Sequence, residues 1–332
     1  MSKLHAVITG VGGYVPNYRL TNEEISTNVE TSDEWITKRI GIKERRILKP
    51  EEGKGITYLA EKSLENFKLK HEFNPLEIDA VVFATTTPDY ILPNSASLIA
   101  QKTGMTNAFG MDVSAACSGF LYALEIAEGF IASGKYKKVM VFAGDVLSTV
   151  TDITDRNTYP IFADGCGCAL MEATTEDEGF IDSILRSEGN VEHLHMYGGG
   201  SINPASHETV DQKLHNIKQD GKIVFKHAVS SMADTCDELI KRNDLSKDEI
   251  TWIVPHQANL RIIDAVANRL GVSTDKVMIN IEKFGNTSAG TIPLCLWEWE
   301  PRLRKGDKII LTAFGAGFTW GATYIKWGYD PK

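Results

Sequence analysis

Apolar residues recur along this chain in two rhythms. Short runs rich in Val, Ile, Phe and Ala, bounded by Gly, Pro, Asp or Asn, predict buried strands. They are the opening "HAVITGVGGYVP" and residues 80–87, 108–114 and 137–144. The alternating "CGCALME" adds another. Between these runs, "NSASLIAQKTG" and "GFLYALEIAEGFIASG" carry apolar positions at helical spacing. The second half repeats the theme. Residues 250–259 predict a strand, "LRIIDAVANRLG" a helix, 276–286 a strand and turn, "TSAGTIPLCLWEWEPRL" a helix and 307–317 a strand.

Strands alternating with helices throughout predict an α/β fold. The matching order of elements predicts an internal duplication, with halves spanning residues 1–175 and 176–332. In that overlay "DVSAACSGFLYAL" faces "NIEKFGNTSAGTIPL", setting Cys117 opposite Asn286. Open α/β sheets bind ligands at strand ends, so the loops there are where chemistry is expected. The polar, Gly-, Asn- and His-rich stretch from Glu188 to Asp220 predicts an excursion over the surface, and His193 and His195 within it predict a solvated loop.

Composition narrows the picture. At 332 residues the chain is long enough for two half-domains. No apolar run reaches bilayer length, and the N-terminus lacks the pattern of a secretory signal, so a cytoplasmic location and no membrane partner are expected. A formal net charge of -9 without a basic block argues against nucleic acid as a partner. Five scattered cysteines, an odd number, predict reduced thiols, not a disulfide framework. Cys166 and Cys168 form C-x-C without the second pair a zinc site needs, and no metal is expected.

Three polar residues sit where turns are predicted. In "AACSG", small residues flank Cys117 as they flank the nucleophile of a strand-to-helix elbow, and a helix beginning there is expected to lower the thiol pKa. His256 ends an apolar strand in "VPHQAN", and Asn286 lies in the turn "FGNTSAG". The glycine-rich "FGAGFTWG" can bring backbone N–H groups close to a reacting carbonyl. Singly, each has a plain structural explanation. Together, at equivalent strand ends of a duplicated fold, they predict a catalytic constellation. The residues also permit a Cys-His-Asn thioester hydrolase or a non-catalytic acyl-binding scaffold. A dinucleotide site at "ITGVGGYVP" is disfavoured, because Val15 replaces the third glycine and Pro16 blocks the helix start.

The blocks "TSDEWITKRIGIKERR", "DVSAACSGF", "TDRNTYPIFADGCGCAL", "VPHQANLRII", "FGNTSAGTIP" and "FGAGFTWG" run in order along the chain. In them the chain resembles the β-ketoacyl-acyl-carrier-protein synthase III family of condensing enzymes. The resemblance implies a thiolase-like fold, a five-layer αβαβα sandwich, and an acyltransferase that initiates fatty acid synthesis without a cofactor. It implies that acyl-CoA acylates Cys117, and that malonyl-acyl-carrier protein then loses carbon dioxide and condenses with the acyl group. His256 and Asn286 would donate hydrogen bonds to the malonyl thioester oxygen. The N–H groups of Cys117 and Ala316 would form an oxyanion hole, acceptable at Ala316 if its φ is negative. Trp35 would stack on the CoA adenine with Arg156 on the other face, Arg39 would meet phosphate, and Thr31, Gly221, Phe225, Ala258 and Asn259 would line the pantetheine path. Lys226, Arg261 and Arg269 would dock the acidic carrier protein. The chain would be a homodimer with Leu92 gating the partner's acyl pocket. A related condensing enzyme of a secondary-metabolite pathway is the alternative within the family.

Overall fold

The structure is a computed structural model that describes residues 4–50 and 54–331. Its first sheet has five strands, β1 (His5–Tyr14), β2 (Ala80–Ala84), β3 (Phe109–Val113), β4 (Lys138–Val146) and β5 (Asp164–Thr174), in the order β1-β5-β4-β2-β3. The second has β6 (Gly179–Asn190), β7 (Trp252–Pro255), β8 (Lys308–Gly315) and β9 (Gly317–Lys326), in the order β6-β9-β8-β7. Each sheet begins with two antiparallel pairings and continues with parallel ones. An isolated parallel bridge, Ile253 to Val277, takes the fifth place in the second sheet. The predicted duplication is therefore present in strand order and pairing sense, with a single bridge standing in for the fifth strand of the second sheet.

Side-chain alternation on the strands builds the layers. Ala80, Val82 and Ala84 point inward, with Ile309, Leu311 and Ala313 of the second sheet, onto the helices Gly119–Ala132 and Thr291–Trp299. Val81 and Phe83 point outward onto Ile56–Lys68 and Ser95–Thr103. Ile253 and Ile310 point to the opposite outside, onto Gly221–Arg242 and Leu260–Leu270. Helices, sheet, helices, sheet, helices is the five-layer arrangement the resemblance implied. Among the described residues no helix is long and apolar enough to cross a membrane.

Two expectations need correction. Residues 276–286 contribute one bridge and then the short helix Ile281–Phe284, not a strand. The buried Gln257 explains why. Its amide donates to the carbonyls of Pro255 (2.7 Å) and Met278 (3.2 Å), and its oxygen accepts from the N–H of Asn280 (3.0 Å). A side chain thus satisfies backbone groups that a ladder would otherwise pair. The second correction concerns the overlay. The one-turn helices Ala116–Ser118 and Ser288–Gly290 each lead directly into an inner helix. In that register Cys117 corresponds to Ala289, and Asn286 to Ser114.

Candidate active site

Cys117 sits on the turn between β3 and the inner helix Gly119–Ala132. Ala116, just before it, has φ 45°, and its symmetry mate Ser288 has φ 52°. Left-handed backbone is costly for residues with a β-carbon, so both elbows are strained at the same point. The neighbouring strand β8 presses close: a β-carbon on Gly315 would lie 2.7 Å from the Cys117 nitrogen. Only glycine fits there. Ala316 follows on the same turn, with a φ outside the left-handed region, so its N–H meets the condition set for an oxyanion donor.

His256 follows directly on the end of β7 and is held by the Gln257 stitches. Its Nδ1 lies 2.7 Å from the Thr291 hydroxyl. Asn286 is fixed through its backbone, which accepts from the N–H of Ala163 (2.9 Å) and donates to the carbonyl of Ile161 (3.1 Å). Its side-chain oxygen accepts from the N–H of Ser288 (2.8 Å), which turns the amide NH₂ toward the open side. Cys117, His256 and Asn286 all line one cavity of about 740 Å³, together with Ser114, Ser288, Phe314 and Ala316.

Burial sets the charge state of the site. It pushes the Cys117 thiol up to about 12, while a hydrogen bond from Ser288 pulls the other way. Desolvation of the thiolate is the largest cause of that rise. Burial also pushes His256 down to about 3, so its imidazole is neutral. The buried Asp145 lies close enough to raise Cys117 a little further. One oxygen of Asp145 accepts from the N–H groups of Thr86 (2.7 Å) and Thr87 (3.0 Å) and from the hydroxyls of Thr85, Thr86 and Thr87. Asp145 thereby holds the ends of β2 and β4 together beneath the cavity.

Toward the surface the cavity is lined by Trp35, Arg39, Arg156, Gly221, Phe225, Ala258, Asn259 and Arg261. The Arg156 guanidinium lies directly over the Trp35 ring, 4.7 Å from its centroid, so a base entering between them must part the pair. Asn259 also caps its helix, accepting from the Arg261 N–H (2.9 Å). Thr31 is not on the cavity wall, and neither are Lys226, Arg269 or Leu92. Lys226 is exposed, and Arg269 is paired with Asp234. Leu92 is 84% exposed beside Tyr90 and Ile91.

The Glu188–Asp220 stretch is more than a surface excursion. Leu194, His195, Met196, Ile217 and Gln219 form a wall of the cavity. A two-strand ribbon, Leu194–His195 against Lys218–Gln219, and a bond from the Ile217 N–H to the Val150 carbonyl (2.8 Å) hold that wall in place. His195 stacks on Tyr197, and among the described residues no cluster of three or more His, Cys, Asp or Glu can hold a metal. Sequence reasoning passed over this wall, and over Gln257 and Thr291. The apolar residues spaced through a polar segment, and a polar residue adjoining His256, were the available signals.

Comparison with known proteins fits this geometry. A family model described as 3-oxoacyl-[acyl-carrier-protein] synthase III matches residues 111–189, and the C-terminal model of the same family matches residues 240–327. A β-ketoacyl-[acyl-carrier-protein] synthase III of Azobacteroides pseudotrichonymphae is 72% identical over 331 residues, 99% of each chain. One of Bacteroides thetaiotaomicron is 56% identical over 333 residues, covering 100% of this chain and 99% of that one. The crystal structure of a 3-oxoacyl-[acyl-carrier-protein] synthase III from Aquifex aeolicus superposes with a TM-score of 0.88 at 38% identity, over 97% of this chain and 100% of that one. Full-length identity of this order, on the same fold, leaves one conclusion: the chain belongs to the β-ketoacyl-[acyl-carrier-protein] synthase III family.

Proposed function

We propose that this chain starts fatty acid chains, using Cys117 to carry the primer. The observation that carries the reading is one cavity, in a member of this family, that brings Cys117, His256 and Asn286 together at the ends of two duplicated sheets. Cys117 attacks the thioester carbon of an acyl-CoA. The tetrahedral oxyanion is met by the N–H groups of Cys117 and Ala316, and CoA leaves as its thiol. Malonyl-acyl-carrier protein then enters. Loss of carbon dioxide leaves an electron pair on the α-carbon, delocalised onto the thioester oxygen beside Asn286 and His256. The Asn286 NH₂ donates to that oxygen. The α-carbon attacks the acyl-enzyme, the C–S bond to Cys117 breaks, and β-ketoacyl-acyl-carrier protein is released.

The outer part of the cavity supports CoA binding, with Trp35 and Arg156 for the adenine, Arg39 for phosphate, and Gly221, Phe225, Ala258 and Asn259 along the pantetheine. Thr31 is retained from the resemblance, although it is not on the cavity wall. Arg261, on the cavity lining, and Lys226 are exposed and suit an acidic carrier protein; Arg269 is paired with Asp234. A homodimer is part of the reading. The sheet-edge strand β3 and the exposed run Tyr90, Ile91 and Leu92 offer it a surface, with Leu92 as the gate to the partner's acyl pocket. The halves divide between the end of β5 at Thr174 and the start of β6 at Gly179, and a cytoplasmic location accompanies the pathway.

Mass spectrometry of the protein incubated with acetyl-, isobutyryl- and hexanoyl-CoA, then with malonyl-acyl-carrier protein, tests the reading. Acyl mass gained on Cys117 and lost on condensation is expected. Release of free acid with no condensation would replace it with a thioester hydrolase.

A further inference from the structure

Arg45, on the short strand Glu44–Ile47, is a fully buried cation that the chemistry above leaves unused. Its Nε donates to the carbonyl of Pro160 (2.8 Å), Nη2 donates to the same carbonyl, and Nη1 donates to the side-chain oxygen of Asn22. Every direction in this network is fixed, since an arginine only donates and a carbonyl only accepts. With its oxygen taken by Arg45, Asn22 turns its NH₂ to the Asp33 carboxylate (2.7 Å) and the Ile42 carbonyl (2.9 Å). Asp33 opens the helix Asp33–Ile40, which carries Trp35 and Arg39. Pro160 is followed by the backbone groups of Ile161 and Ala163 that grip Asn286, and preceded by Arg156, which lies over Trp35. The stem of Arg45 packs against the Asn286 turn, where a β-carbon on Gly285 would lie 3.1 Å from Arg45 Cγ.

Burying a cation whose charge reaches a carboxylate only by way of an amide costs free energy that an apolar residue of similar size would not. What the cation gains is geometry: a rigid fork whose donors converge on the segment that sets Asn286. We propose that Arg45 is a positioning residue for Asn286. Its fork fixes Pro160, and so fixes the register in which Ile161 and Ala163 hold the Asn286 backbone and present its amide to the malonyl thioester. The inference rests on the condensing-enzyme reading above and adds to it a residue that is not on the cavity wall. The acylation machinery hangs from other elements, Cys117 from the turn after β3 and Ala316 from the turn after β8. Arg45 therefore governs the second half-reaction and leaves the rate of the first alone. Through Asn22 and Asp33 the same fork steadies the helix of Trp35, so its loss raises KM for acyl-CoA without slowing acylation at saturation.

Arg45→Lys separates this from a packing role, because it keeps the charge and most of the stem but replaces the fork with a single ammonium. Enzyme acylated to completion with acetyl-CoA is mixed rapidly with malonyl-acyl-carrier protein and followed by mass spectrometry. The variant should lose its acyl mass about 100-fold more slowly than wild type, the range for removing one oxyanion donor. Acylation of Cys117 at saturating acetyl-CoA should match wild type. Asn286→Ala should show the same split. Arg45→Lys in the Asn286→Ala background should add no further loss of condensation, because a residue that acts through Asn286 has nothing left to position. A structural role alone gives an equal fall in both half-reactions, and losses that multiply in the double variant. Either of those results, or wild-type condensation in Arg45→Lys, would overturn the proposal. Asn22→Ala removes one of the two acceptors of the fork and should give a smaller split of the same kind. It decides the matter if Arg45→Lys does not fold, an equal fall in both half-reactions again counting against the proposal. Normal condensation by Asn286→Ala would instead refute the functional reading.

Discussion

Cys117 and His256 line the same cavity as neutral groups, because burial moves each away from its charged form. A thiol held near 12 is a poor nucleophile unless its proton is removed during attack. Alkylation by iodoacetamide, which gains nothing from the positioning of acyl-CoA, should therefore be slow at pH 7. Its rate should rise close to tenfold per pH unit without levelling below pH 10. A plateau near pH 7 would mean a stabilised thiolate and would contradict the burial argument. Replacing Cys117 with Ser should abolish acylation, a total loss of acyl mass in the primer assay, because no base in the cavity is matched to a hydroxyl.

Among the elements, the two elbows show what the sequence makes legible. Small residues around Cys117 and the run "FGNTSAG" signalled turns, and both turns are there, one leading into each inner helix. The residue-by-residue overlay slipped by three positions, because a matching rhythm of strands and helices does not fix register. The strand expected at 276–286 was lost to Gln257, whose three bonds cross from one segment to another. No local pattern encodes such a stitch. Nor does spacing reveal that Thr291, five residues beyond Asn286, reaches His256. Gly315 illustrates a contact that becomes clear only in three dimensions. Gly315→Ala should cost about 1–3 kcal/mol in a urea melt, as overpacking does. Displacing the Cys117 backbone should slow acylation far more, by about 100-fold. An alanine variant with normal acylation would mean that β8 yields easily.

For the whole molecule, the same buried groups narrow the pH range of stability. His256 titrates at 6.5 when unfolded and about 3 when folded. The unfolded chain therefore binds the extra proton between those values, and stability is lost as pH falls from 6.5 toward 3. Cys117 acts at the other end, losing stability as pH rises from 9.0 toward about 12, since the unfolded thiol ionises first. Each contributes a slope of at most about 1.4 kcal/mol per pH unit. His256→Gln should flatten the acid limb of urea-melt stability between pH 6.5 and 4; an unchanged slope would assign it to other groups. Asp164, raised to about 6 by burial, works against His256 in the overlapping window, because its folded form holds a proton the unfolded form has lost. Carrier docking also belongs to this scale. With Arg269 paired to Asp234, Arg261→Glu should raise KM for malonyl-acyl-carrier protein more than Arg269→Glu does, and the difference should shrink in high salt. Equal effects would place the docking patch elsewhere.

The floor and the wall of the cavity differ in what they tolerate. Beneath Cys117, Gly315 leaves no room for even a methyl group. Across from it, Leu194, Met196 and Ile217 come from a segment tied down by a two-strand ribbon and a bond to Val150. Redesign of primer range thus has a natural address. Libraries confined to those three wall positions keep the reaction machinery intact, whereas any library that touches the floor spends its diversity on inactive enzymes.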